Sequence, residues 1–303
     1  YNEKNYVKEL AESFLINDGI EKEVFFVDGG SDDGSREIIK EISQNDSRIK
    51  LVVNEKKFVN FGFNKAFPLT NGKYIALLGA HAAYPKDFFV KGIEALESGV
   101  CDAVGGPLNQ KGRTNTGKAI AGCLSSKFGV GDTEFRVYKE RMYVDSVAFA
   151  IYNRKIFESI GLLDEDLIKN QDDEFHYRLN NSGYKMLMIP EMASEYFVRD
   201  DLSGLIRQYF LYGLYKPLVL RKIKKVISIR HFIPALFFLY LVSLPLAMLS
   251  VLWMIPLVLY IILDVIYSFK TKGSFLVKVI SLFVYPVIHI SYGLGFIFGL
   301  SKD

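Results

Sequence analysis

The 303-residue sequence has two cysteines, four histidines and one tryptophan. Two thiols, Cys101 and Cys123, are too few for a disulfide framework, and neither lies in a Cys-x-x-Cys pair. With histidines this sparse no structural zinc site is expected, and both cysteines read as small core residues. Acidic residues are nearly missing from the last third. From Gly204 to Asp303 only Asp264 and Asp303 stand against 11 Lys/Arg, which leaves 26 of the 37 basic and 32 of the 34 acidic residues to positions 1–203. The net charge of +3 therefore hides an acidic part of about −6 joined to a basic part of about +9. An initiator methionine is missing too: the chain opens at Tyr1-Asn2-Glu3, and an upstream piece is expected.

What the sequence does have is aromatic bulk, with 24 Phe and 18 Tyr, and a regular alternation of segments. "EVFFVDGG", "RIKLVVN", "KYIALLGAH" and "CDAVGGP" read as strands, each separated from the next by a helical pattern such as "SDDGSREIIKEIS" or "YPKDFFVKGIEALES". Such alternation predicts βαβ units and a mostly parallel sheet, with ligands at the carboxyl ends of the strands. Asp28 and His81 fall at two such ends. Residues 108–142 are polar, Gly-rich and weakly periodic, and read either as a loop over a site or as an irregular connection. Order returns at "YVDSVAFAIYN" and in a helix from about Gln171 to Asn181, stopped at Gly183 and followed by a strand that ends at Pro190.

After Asp201 the character changes. Residues 202–231 mix Leu, Ile and aromatics with Arg and Lys, as an interfacial amphipathic helix does. From Phe232 to Phe269 the only charge is Asp264, a run that suits a pair of spans, and Phe275–Leu300 suits a third. The basic stretches Arg221–Arg230 and Lys270–Lys278 belong on the cytoplasmic side, so the acidic domain, residues 1–201, is expected to be cytoplasmic.

Three stretches carry candidate chemistry. In "VDGGSDDGS" a strand-end carboxylate takes a base N–H or ribose hydroxyls, or else makes an Asp-Gly turn with a helix cap. In "NQDDEFHYRL" the helix dipole accounts for acids in a first turn, and Glu174 and Arg178 make an i,i+4 pair. That leaves Asp172, on the face of His176, as a candidate general base. In "IRQYFLYG" Gln, Tyr and the nearby Lys216 either meet a pyrophosphate-bearing lipid or form an aromatic belt with snorkelling cations.

As an ordered set, Tyr1-Asn-Glu, Val27-Asp-Gly-Gly-Ser-Asp-Asp-Gly-Ser35, Gly79-Ala-His81, Gln171-Asp-Asp-Glu174 with Arg178-Leu179, and Gln208-Tyr-Phe-Leu-Tyr-Gly213 resemble the inverting glycosyltransferases of family 2, in their membrane-anchored, succinoglycan-type exopolysaccharide branch. The resemblance runs from residue 1 to about 216. It implies an α/β, GT-A-like, Rossmann-related nucleotide-sugar domain followed by an interfacial helix and about three transmembrane helices (residues 232–303). It further implies that Asn2 and Glu3 end a first strand beside the nucleotide, that Asp28 holds uracil or ribose with Asp33 nearby, and that Asn64 lies on the donor side. Asp172 matches the catalytic base of a Glu-Asp pair whose Glu is Gln171 here. Gln208 and Tyr212 match the ends of a Gln-x-x-Arg-Trp motif in which Leu211 replaces the Arg.

Gly79-Ala80-His81 stands in the place of the family's Asp-x-Asp, whose alternate side chains bind a divalent ion on the donor diphosphate. Gly79 has no side chain to offer, so His81 is expected to be the sole side-chain ligand there, for Mn²⁺ more readily than Mg²⁺; the alternative is that His81 only hydrogen-bonds the diphosphate and metal binding is weak or lost. The expected reaction is transfer of one sugar, UDP-linked, to a polyprenyl-diphosphate-linked saccharide at the cytoplasmic face of a bacterial inner membrane. Membrane lipid is an expected partner and nucleic acid is not. Gly79, Gln171 and Leu211 support a rival, a membrane scaffold that keeps the fold without turnover; a polymerising synthase is a third reading.

Overall fold

A computed structural model describes residues 1–15, 19–223, 229–248 and 250–302. In chain order it begins α1 (Lys4–Phe14), β1 (Val24–Asp28), α2 (Ser35–Asn45), β2 (Ile49–Val53), α3 (Val59–Ala66), β3 (Tyr74–Ala76), β4 (Ala82–Ala83), α4 (Phe88–Glu97), β5 (Ala103–Gly105) and β6 (Leu108–Lys111). Short helices α5 (Asn115–Leu124), α6 (Lys127–Val130) and α7 (Glu134–Val137) come next. They are followed by β7 (Met142–Tyr143), β8 (Ile151–Asn153), α8 (Arg154–Ile160), α9 (Gln171–Asn181), β9 (Met186–Met188) and β10 (Ser194–Phe197). Four longer or more apolar helices finish the chain: α10 (Leu202–Ile223), α11 (Ile233–Val242), α12 (Ile255–Lys270) and α13 (Phe275–Gly299). These elements form two compact units, residues 1–108 with 138–196, and residues 109–137 with 197–303.

The first unit is α/β, as the alternation predicts, but its sheet is not mostly parallel. β1 and β2 pair in parallel, Asp28 against Val53. The larger sheet runs β3-β8-β5-β9-β7, and only β5 and β9 in it are parallel. β8 lies antiparallel between β3 and β5, and β7 antiparallel at the edge beside β9. Strand–helix alternation fixes direction only for strands joined by a crossover, and β8 enters this sheet after the excursion through residues 109–137, free to run the other way. β5 and β9 are wholly buried, as the central strands of a covered sheet are. Phe88, Leu96, Ile151 and Met192 pack with Val104 of β5 and Leu187 of β9 in one buried cluster. The strand expected to reach His81 stops at Ala76; His81 sits in the turn just before β4.

Of the polar stretch 108–142, residues 109–137 belong to the second unit and hold the three helices α5, α6 and α7. α5 is capped by Thr114, whose hydroxyl accepts the Gly117 N–H at 3.0 Å, and it buries Ala119, Ile120, Cys123 and Leu124. Small residues explain why the pattern looked weak: Gly122 packs so close to Thr271 that a Cβ would lie 2.4 Å from its methyl. Phe128 lies among Tyr260, Tyr267, Tyr285 and His289, and accepts a hydrogen bond through its carbonyl from the His289 ring at 2.8 Å. Both cysteines are free and buried, as expected.

Among the described residues two helical stretches, not three, are long and apolar enough to cross a membrane: Val251–Lys270 and Phe275–Gly299. The first apolar run is broken. α11 has 10 residues, about 15 Å of helix against the roughly 30 Å of a bilayer core. Tight turns at Leu244–Met248 and Val251–Met254 follow it, the first containing Pro245. The basic stretch that should precede the spans lies partly outside the described residues, at Lys224 and Lys225. α10 runs parallel along α13 with backbones touching: a Cβ on Gly213 would lie 2.1 Å from the Tyr292 carbonyl oxygen, and one on Gly299 2.3 Å from that of Leu214. Small residues permit this closeness, as in helix pairs within membranes.

Candidate active site

The first unit gathers Asn2, Glu3, Asp28, Asp33 and His81 around the start of α1 and the turn after β1. Asp28, the last residue of β1, is 4% exposed. One of its oxygens accepts from Arg36 Nε at 3.0 Å and Nη2 at 2.8 Å, and the pair of oxygens accepts from the Gly30 and Ser31 amides. Burial pushes this carboxyl up, but the Ser31 hydroxyl and the Arg36 guanidinium outweigh that and hold it below the usual carboxylate range. It is an ionised, rigid acceptor whose present partners are the turn and Arg36 of α2. Gly30 holds φ at +82°, which only a residue without Cβ adopts freely.

Asp33 joins two helix starts. Its oxygens accept the Lys4 N–H of α1 and the Ser35 N–H of α2, each at 3.0 Å. The Ser35 hydroxyl bond dominates in lowering its carboxyl to about 2. Asn2 closes a reciprocal pair with Asp32, its Nδ2 donating at 2.8 Å and its Oδ1 accepting at 3.1 Å, while its own N–H reaches Ser31 Oγ at 2.9 Å. Glu3 Oε1 lies 2.7 Å from His81 Nε2, and the His81 ring, 50% exposed, meets the Tyr6 ring edge-on.

Gly79 is fixed by its neighbours. A Cβ there would lie 2.7 Å from Phe149 Cε1, so an Asp at this position requires the Phe149 ring to move. Tyr84 OH accepts the Gly79 N–H at 2.8 Å and donates to the Gly79 carbonyl at 2.9 Å, closing the turn that presents His81. Tyr84→Phe leaves two half-buried backbone groups without that partner. It is expected to cost about 1–3 kcal/mol, read as a lowered thermal midpoint by circular dichroism, and an unchanged midpoint would refute the clamp.

Asp172 is exposed in the first turn of α9, behind Asn170, which adopts left-handed φ of 60°. Its loop is pinned from α3: Asn64 Nδ2 donates to the Leu163 carbonyl at 2.8 Å and Asn60 Nδ2 to the Leu167 carbonyl at 3.0 Å. Asn64 thus faces this loop and Glu165. His176, one turn past Asp172, is buried between Ser146 Oγ (2.9 Å) and Tyr152 OH (2.7 Å), and burial lowers it to about 4, a neutral structural imidazole. The Gln171 Oε1 is buried with no hydrogen-bond partner.

Gln208 and Tyr212 belong to the second unit, one turn apart on α10, with Gln208 Nε2 donating to Tyr212 OH at 3.0 Å. A groove of about 570 Å³ opens between α10 and α13, lined almost wholly by apolar side chains including Ile206, Phe210, Phe283 and Val287. Sequence reasoning missed Arg36 and Tyr84. Arg36 had a signal: a cation in the first turn of a helix opposes the dipole and so needs an acid nearby.

The profile described as "Glycosyl transferase family 2" matches residues 1–161. Over 232 residues the chain is 32% identical to the dolichyl N-acetyl-alpha-D-glucosaminyl phosphate 3-beta-D-2,3-diacetamido-2,3-dideoxy-beta-D-glucuronosyltransferase of Methanococcus voltae, covering 73% of this chain and 72% of that one. It is 30% identical over 216 residues to the succinoglycan biosynthesis protein ExoA of Rhizobium meliloti, covering 70% of this chain and 65% of that one. Among solved structures, the mannosyltransferase PcManGT from Pyrobaculum calidifontis, in complex with GDP-Man and Mn²⁺, superposes with a TM-score of 0.63 at 16% identity. That match covers 95% of this chain and 84% of the other, and it shows a shared GT-A-like fold.

Proposed function

Because the chain belongs to glycosyltransferase family 2, we propose that it transfers a single sugar, with inversion, from a UDP-sugar to a lipid-linked saccharide at a membrane face. The observation that carries this reading is the exposed Asp172 carboxylate in the first turn of α9, just after a loop pinned by Asn60 and Asn64. Asp172 takes the proton from the acceptor hydroxyl as that oxygen attacks the anomeric carbon, opposite the leaving diphosphate. A negative charge in the first turn of a helix is favoured by the helix dipole, and a carboxylate is the chemical group a base of this kind needs. Asp28 and Asn2 are assigned to the nucleotide. Asp33 and Asn64 act one step back, Asp33 by fixing two helix starts and Asn64 by holding the Asp172 loop.

The donor set supports a divalent ion only in part. Among the described residues no three of His, Cys, Asp and Glu converge as a self-sufficient site. His81 offers one ring nitrogen, which fits an ion that takes its remaining ligands from diphosphate and water. When bound, such an ion offsets the charge that develops on the leaving diphosphate. PcManGT was solved with Mn²⁺, which supports the choice of metal.

A lipid-linked acceptor is supported by the dolichyl phosphate substrate in the name of the Methanococcus relative and by the apolar groove between α10 and α13. A cytoplasmic site is supported by Lys270, Lys272 and Lys278, clustered where α12 gives way to α13. The reading is tested by calorimetry of UDP with the full chain in detergent, with Mn²⁺, Mg²⁺ or chelator. Binding that needs Mn²⁺ and weakens at least 10-fold in His81→Ala is expected. Heat absent under every condition sinks the nucleotide-sugar assignment and favours a scaffold.

A further inference from the structure

We infer that Glu3 is the carboxylate that positions His81 for a divalent cation, so that the ring presents Nδ1 as its ligand atom; this rests on the reading of His81 as the side-chain ligand. Glu3 Oε1 lies 2.7 Å from His81 Nε2. In a neutral imidazole the nitrogen facing a carboxylate carries the proton, which leaves the lone pair on Nδ1. Among the described residues nothing else hydrogen-bonds the ring, and its only other partner is the edge of Tyr6, with centroids 5.3 Å apart. A carboxylate that holds the far nitrogen of a metal-bound histidine fixes ring orientation and raises basicity.

Two further observations separate this from an ordinary surface ion pair. The first is where Glu3 stands. Its N–H donates to Ser35 Oγ at 2.9 Å, and its neighbours Asn2 and Lys4 are tied to Ser31 and Asp33. The Glu3 side chain is 13% exposed against 50% for His81, so the acid is fixed in the wall and the ring faces outward. The second is its other oxygen. Glu3 Oε2 is buried with no hydrogen-bond partner. An acceptor left that way destabilises the fold, and packing alone gives no return for it.

The test is Mn²⁺ affinity at saturating UDP, read from the electron paramagnetic resonance signal of free Mn²⁺ with the full chain in detergent. Glu3→Ala is expected to weaken Mn²⁺ binding up to about 100-fold. Glu3→Gln keeps the shape and an acceptor for Nε2–H, so a smaller loss of about 10-fold is expected; this graded recovery distinguishes positioning from packing. Should Glu3→Ala fail to fold, by circular dichroism, Glu3→Gln carries the test alone. If His81→Ala loses Mn²⁺ while both Glu3 variants bind it like the parent, the role of Glu3 is overturned and that of His81 stands. A parent chain that binds UDP equally with and without Mn²⁺ overturns both.

Discussion

Asp172→Asn should lower sugar transfer by about 10²–10⁴-fold while leaving UDP affinity within about twofold of the parent. Asn keeps the size and the hydrogen-bonding reach of Asp and loses only the ability to take a proton. His176, on the same face, cannot replace that function, because it is buried and neutral between Ser146 and Tyr152. Glu174 is engaged by Arg178. The measurement is transfer from a UDP-sugar to a lipid-linked acceptor by the full chain in detergent or vesicles, beside a UDP titration of both proteins. Transfer by the variant at the parent rate would remove Asp172 from the mechanism. Equal inactivity of parent and variant across all donors would favour a scaffold that retains the fold.

The second large effect concerns the support behind that base. Arg178 serves five acceptors with one planar group, the weakest being the Gly161 carbonyl at 3.4 Å from Nη1. Nε and Nη2 reach the two oxygens of Glu174 at 2.6 and 2.9 Å, Nη2 also reaches the Leu162 carbonyl at 2.7 Å, and Nη1 reaches that of Ile160. The Glu174 side chain is 8% exposed, so Arg178→Ala leaves a carboxylate in the wall with no counter-ion. Enclosed pairs broken this way lose about 3–5 kcal/mol, and with Arg178 itself 28% exposed the lower figure is expected. Arg178→Lys should recover little, because an ammonium cannot span the same acceptors. Hydrogen exchange of peptides from residues 160–181 is the measurement. Faster exchange confined to that stretch is expected, and protection equal to the parent would mean that the pair holds nothing in place.

What could be read from the sequence was whatever its own neighbours decide. α9 was legible to the residue, Gln171–Asn181 with Gly183 at positive φ after it, because acids in the first turn, the Glu174–Arg178 pair and the glycine stop are all local. The direction of β8 was not, since it depends on β3 and β5 far away in sequence. α5 escaped because it packs through Gly, Ala and Cys, whose small size brings backbones together without a strong apolar stripe. The length of the run from Phe232 to Phe269 was visible, whereas its interruption after α11 depended on turns that composition alone does not reveal. At the site, the motif residues were named from their order, and Asn2, Glu3, Asp28, Asp33 and His81 do converge in the first unit. Their partners were hidden. Nothing in the sequence says that Glu3 meets His81, or that the Phe149 ring crowds position 79 and must shift to admit a side chain there.

The glycine contacts along α10 and α13 make those two helices one lever. α13 is about 37 Å long, more than the roughly 30 Å of an average hydrocarbon core, so if it crosses a bilayer it leans to fit. With Gly213 and Gly299 leaving no room for α10 to slide, Gln208 and Tyr212 lean by the same angle. Bilayer thickness, a property of the host membrane, thus becomes a setting on the orientation of two polar side chains, and vesicles of different acyl length would turn that setting without touching the protein.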